Sequence, residues 1–238
     1  MRVLILGGTT EASACARRLT GDARFAVTLS LAGSTERPAT LPGVALRIGG
    51  FGGAAGLVRW LDENGIEAVV DATHPFAAEI SRNAEAATRE RVIPLCTIVR
   101  PPWQSTPEDR WRTVATIEEA ADALGAEPQR VFLSVGRQGV GAFRRAPHHT
   151  YVIRTIELPG EGALPPDTTL IQARGPFALQ DEIDLLATHR VHVVVTKNAG
   201  GQATHAKIEA ARSLALPVVM IERPIKAGRD FVADADQA

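Results

Sequence analysis

The sequence predicts an α/β protein built on mainly parallel sheets, and three observations predict it. Short apolar runs recur along the chain, stretches with helical spacing stand between most of them, and the runs end on glycine or a polar residue. Strands alternating with helices in this way run parallel under helices on both faces, and such sheets take ligands at the carboxyl ends of their strands. With 238 residues there is material for one large or two small lobes, and 45% hydrophobic content is ordinary for a globular chain.

The first twelve residues, MRVLILGGTTEA, set the pattern. Val3 to Leu6 form an apolar strand that ends in Gly7 and Gly8, and Thr9, Thr10 and Glu11 open an alanine-rich helix. A glycine pair lets backbone approach a ligand closely, and the helix start offers N–H groups and a positive dipole end to a phosphate. The spacing Gly7-x-Thr9-x-x-Ala12 departs from the dinucleotide fingerprint G-x-G-x-x-G/A at its middle glycine. Gly7, Gly8, Thr9 and Thr10 are therefore candidates for cofactor binding, against the alternative of a well-packed strand-to-helix turn.

Further strands are expected at 25–31, 44–48, 68–71 and 92–99, with a helix around Leu57, Trp60 and Leu61 that Asn64-Gly65 stops, and another over 76–91. Pro101, Pro102, Trp103, Pro107, Asp109 and Arg110 mark a break. Beyond it the alternation resumes, with strands at 131–135, 151–158, 169–172, 192–196 and 218–221 and helices at 117–124, to about 187, and 202–214. Two α/β lobes follow, residues 1–105 and 106–238.

Charge and cysteine content narrow the partners. A net charge of −1 and a pI near 6.6 argue against nucleic acid or an anionic membrane and for a small molecule. Cys15 and Cys96 form no C-x-x-C pair, so neither a disulfide nor a zinc site is expected, and a reducing cytoplasm fits. The opening apolar run is too short for a signal-peptide core.

Candidate site residues gather at strand ends. Gly49-Gly50-Phe51-Gly52-Gly53 reads as backbone held against a ligand, with Gly50, Phe51 and Gly52 as cofactor contacts, or as a flexible loop. In Asp71-Ala72-Thr73-His74-Pro75, Pro75 suits a first helical turn and Thr73 a cap; His74, the one histidine at a strand end of this lobe, is either structural or, with Thr73, catalytic. At the end of the second strand, where NAD sites usually place an acid, stand Ser30, Leu31, Ala32, Gly33 and Ser34 with Arg37 close behind. Ser30 and Arg37 suit the 2′-phosphate of NADPH, unless Glu36 pairs with Arg37. In the second lobe Arg137, Arg174 and Lys197 end strands and Lys207 lies along the last long helix, an anion site for a polycarboxylated substrate or for cofactor phosphates. His148, His149, His189, His192 and His205 lack metal-ligand spacing and read as structural or exposed.

ILGGTTEA at 5–12, GGFGG at 49–53, DATHPFA at 71–77, SRNA at 81–84, TKNAGG at 196–201 and LPVVMI at 216–221 together resemble the precorrin-6A reductase family of cobalamin biosynthesis. The resemblance implies two Rossmann-like lobes with an active site in the cleft between them. It also implies an NADPH-dependent enzyme that reduces one ring double bond of precorrin-6A or its cobalt-containing counterpart. Macrocycle acetates and propionates would account for the cationic strand ends, and the proton would come from His74, from a water held by Thr73 and His74, or from the macrocycle's own nitrogens. The same lobes would also suit a reductase or epimerase of another anionic metabolite, or a non-catalytic NADPH-responsive regulator. A monomer or weak homo-oligomer acting on a tetrapyrrole is expected, with no nucleic acid, membrane or metal involved.

Overall fold

The apolar runs of the first hundred residues fold as parallel strands whose inner members are covered on both faces, whereas the run at 45–48 lies at the sheet edge with Leu46 and Ile48 exposed. In the computed structural model, which describes residues 1–33, 41–160 and 162–238, they are β1 (Arg2–Leu6), β2 (Ala26–Leu31), β3 (Ala45–Ile48), β4 (Ala68–Asp71) and β5 (Leu95–Ile98), interleaved with α1 (Thr10–Thr20), α2 (Gly53–Glu63) and α3 (Ala78–Arg91). Val3 and Ile5 of β1 pack with Ala12, Cys15 and Ala16 of α1. Leu4 and Leu6, on the other face, pack with Leu57, Val58 and Leu61 of α2 and Ala84 and Ala87 of α3. Val3, Leu4, Ile5 and Leu6 are all buried, each contributing about 1.5–3 kcal/mol of hydrophobic stabilisation.

After a break the alternation resumes with β6 (Arg110–Val114), α4 (Ile117–Asp122), β7 (Arg130–Ser134), a 3₁₀ turn over Val140–Arg145, β8 (Thr150–Thr155) and β9 (Thr168–Gln172). There follow α5 (Leu179–Thr188), β10 (Val193–Lys197), α6 (Ala206–Ser213), β11 (Pro217–Ile221) and β12 (Phe231–Val232). Phe132, Val152, Val194, Ile208 and Met220 anchor the core of this half.

Every strand pair is parallel, and the two sheets run β3-β2-β1-β4-β5-β12 and β9-β8-β7-β10-β11-β6. Each is doubly wound, with order reversing between β1 and β4 and between β7 and β10, the places where such sheets take ligands. The sixth strands are exchanged. By chain order β6 would complete the first sheet and β12 the second, yet β6 pairs with β11 and β12 with β5.

The chain accordingly divides into Met1–Pro101 with Pro224–Ala238, and Pro102–Arg223. Where the sequence placed everything after 105 in the second lobe, the last fifteen residues belong to the first. Neither exchanged strand carried an apolar run. In β6, Arg110, Arg112 and Thr113 are exposed on a sheet edge, and β12 is two residues long. The third helix also starts later than expected, at Ala78, so that Pro75 lies in the turn before it and not in its first turn.

Candidate active site

The turn after β1 is shaped by two different glycine requirements. A β-carbon on Gly7 would come within 2.6 Å of the Leu29 side chain, so the residue is small for packing, whereas Gly8 has φ +108, a conformation that glycine alone adopts freely. Thr9 then stands where the dinucleotide fingerprint has its middle glycine. Its hydroxyl accepts the Ala12 N–H at 3.1 Å as the α1 N-cap and donates to the Ala72 carbonyl at 2.7 Å, tying the turn after β1 to the end of β4. Thr10 donates to Glu11, which accepts two bonds from one Arg100 nitrogen at 2.8 and 3.0 Å. Burial pushes the Glu11 carboxyl up, but the Arg100 charge and several hydrogen bonds outweigh it and hold the group low.

One row across this sheet aligns Arg47, Ser30, Leu6 and Asp71 in register. Ser30 is buried at the β2 tip, where the sequence placed it; Arg37, with Ser34 and Glu36, lies outside the described residues. Arg47, which sequence reasoning passed over, donates to Ser30 Oγ at 3.3 Å, to the Gly49 carbonyl, and to the Gly50 carbonyl at 2.8 Å. Its guanidinium carbon lies 3.6 Å from the Phe51 ring centroid, and Phe51 meets Trp60 edge-on at 5.6 Å. The glycine turn is thus built around an arginine. Gly52, with φ +78, caps α2, and a β-carbon on Gly56 would fall 1.7 Å from the Phe51 carbonyl, so α2 starts tight against the turn.

At the end of β4 the structure adds two residues to those expected. Asp71 Oδ1 accepts the Thr73 N–H at 3.0 Å and the Thr73 hydroxyl at 2.6 Å. Lys226, from the returning C-terminal segment, donates to the Thr73 carbonyl at 3.0 Å and hydroxyl at 3.2 Å and pairs with Asp71 at 3.2 Å. The Thr73 peptide is clamped at both ends. Its hydroxyl therefore does not cap α3, whose N-cap, Ala77, receives no side-chain bond. His74 follows directly, and its Nδ1 accepts the Phe76 N–H at 3.2 Å, which in a neutral ring leaves the proton on Nε2. Such a ring donates a hydrogen bond; to release a proton outright it would first have to become imidazolium and break the Phe76 contact.

In the second unit Arg137 follows β7 and Arg174 follows β9, both exposed, while Lys197 ends β10 half-buried, on the same carboxyl edge because every strand is parallel. Burial pushes the Lys197 ammonium down from its ordinary value. Lys207 differs from these three. Its side chain is buried, donates to the Thr204 carbonyl at 2.7 Å and lies 4.8 Å from the Trp103 ring centroid, the position of a loop anchor. Asn198 exchanges two bonds with the Trp103 backbone at 2.8 and 3.0 Å, and the Trp103 indole donates to the Gly201 carbonyl at 2.8 Å, so the 197–201 loop is held by a residue far away in sequence.

The chain is similar to known proteins along almost its whole length. A solved structure of a CobK precorrin-6A reductase matches with a TM-score of 0.91 and 45% identity, covering 99% of this chain and 93% of that one. A precorrin-6A reductase of Sinorhizobium sp is 47% identical over 237 residues, 100% of this chain and 90% of the relative. A precorrin-6A reductase of Rhodobacter capsulatus is also 47% identical, over 98% of this chain and 92% of its own. Residues 2–238 match the family described as Precorrin-6x reductase CbiJ/CobK, and the chain belongs to that family.

Proposed function

We propose that this chain reduces one macrocycle double bond of precorrin-6A, giving precorrin-6B in cobalamin biosynthesis, with NADPH as reductant. The observation that carries the reading is the identity of 47% to precorrin-6A reductases over the whole chain, with the doubly wound first sheet as a fitting cofactor scaffold. Two unpaired cysteines, Cys15 and Cys96, fit a cytoplasmic setting.

When bound, NADPH supplies a hydride from nicotinamide C4, and a solvent proton balances the addition across the double bond. Gly7, Gly8, Thr9 and Thr10 hold the pyrophosphate at the start of α1, and the turn at Gly50, Phe51 and Gly52 borders the adenosine. Glu11 does not oppose an anion there, because Arg100 offsets its charge. Thr73, fixed between Asp71 and Lys226, orients His74, whose Nε2–H holds the water that relays the proton. Arg137, Arg174 and Lys197 bind the substrate's carboxylates, with Lys207 stiffening the loop that carries Lys197.

The test is NADPH consumption by the purified chain with and without precorrin-6A, read together with product mass. Oxidation that requires the tetrapyrrole, with a product two hydrogens heavier, is the expected result. Failure to oxidise NADPH in its presence overturns the reading.

A further inference from the structure

Arg47 occupies a place that cofactor chemistry can explain and packing alone does not. In a doubly wound sheet of this order the adenosine ribose lies at the tip of the strand beside β1, which here is β2. That tip carries Ser30, Leu31, Ala32 and Gly33, and among the described residues there no acid to receive the 2′- and 3′-hydroxyls. On the next strand, in register with Ser30, stands Arg47. We propose that Arg47 is the residue that selects NADPH over NADH, its guanidinium receiving the 2′-phosphate beside Ser30, an inference that rests on the dinucleotide reading above.

The guanidinium is oriented before any ligand arrives. Its bonds to Ser30, Gly49 and Gly50 use three of its five N–H donors, and the Phe51 ring fixes its plane. Two donors are left over among the described residues, enough for the forked contact that arginine makes with a phosphate. No carboxylate among the described residues pairs with it. Burial pushes its pKa down from the ordinary value, so its charge is held there at a cost that a bound anion would offset. A residue needed only to staple the Gly49–Gly50 turn could donate to those carbonyls without being an unneutralised cation.

The two roles separate in a comparison of cofactors. NADPH and NADH are titrated calorimetrically against the wild type, Arg47→Met and Arg47→Lys. Loss of a charge-assisted contact predicts a rise in the NADPH dissociation constant of about tenfold to a hundredfold in Arg47→Met, with NADH changed by less than about threefold. Arg47→Lys keeps the charge and loses the fork, so a smaller loss confined to NADPH is expected, and this variant decides the question if Arg47→Met does not fold. Equal weakening of both cofactors would make Arg47 a staple of the turn and overturn the assignment, as would a preference that Arg37→Met abolishes and Arg47→Met leaves intact. Wild-type protein that binds neither cofactor would overturn the dinucleotide reading itself, a result distinct from either.

Discussion

Lys226 and Asp71 meet as a buried ion pair, Nζ to Oδ1 at 3.2 Å, although one belongs to the end of β4 and the other to the segment that returns from the second unit. Both side chains are almost wholly buried, and Asp71 Oδ2 has no hydrogen-bond partner among the described residues. The carboxylate therefore depends on the lysine and on Thr73.

Lys226→Met should destabilise the first unit by about 3–5 kcal/mol, because it strands a buried carboxylate. Adding Asp71→Asn to Lys226→Met should recover part of that loss. Urea midpoints of the two variants and the wild type check this; a double variant less stable than Lys226→Met would refute the pairing argument.

Thr9 joins two strand ends through one hydroxyl. Thr9→Ala removes the cap and the bond to the Ala72 carbonyl, and a loss of about 1–2 kcal/mol is expected. Thr9→Ser should retain most of the stability. If Thr9→Gly, which restores the fingerprint, matched the wild type in a thermal melt, the tether to Ala72 would be worth nothing.

Asp109 gives the second unit a pH-dependent brace. Its carboxylate accepts from Arg212 at 3.1 Å through two nitrogens and from the Thr106 N–H at 2.7 Å. Burial pushes its pKa up, but these bonds and the Arg212 charge outweigh it and hold the group below the usual carboxylate range. The brace is thus fully present above the unfolded value, about 4, and is lost as pH falls through the lower folded value. Asp109→Asn should be less stable than the wild type at neutral pH, with the gap closing in acid; a gap independent of pH would show that the charge contributes nothing.

Arg137 and Arg174, as carboxylate contacts, should act on substrate and not on cofactor. Changing each to Ala is expected to raise KM for precorrin-6A by about tenfold or more, with the NADPH dissociation constant unchanged. Lost NADPH binding would reassign both arginines.

How much of this the sequence disclosed follows from burial. β1, β7 and β10 are covered on both faces, so they appear as unbroken apolar runs, and β4 was placed to the residue. β6 escaped because an edge strand with exposed Arg110 and Arg112 has no apolar signature, and β12 because two residues carry no period. The strand-end glycines and Thr9 were visible as motifs; Lys226 was not, since nothing in residues 224–238 announces pairing with the first sheet. Arg47 could have been noticed as a lone cation in a short strand just before the glycine run. Thr73 suggested a cap because the type and spacing suit one, but its hydroxyl is taken by Asp71 and Lys226.

The traded outer strands bear on how this polypeptide is made. While it is still being translated, the amino-terminal half can assemble five strands, but β5 presents a bare edge and Asp71 has no ammonium beside it, because residues 226–232 have yet to be synthesised. Completion of the first half thus waits until residues 226–232 have followed the whole second unit off the ribosome. A stop codon just after Arg223 would spare every residue expected to touch substrate or cofactor and still leave that half open along one side.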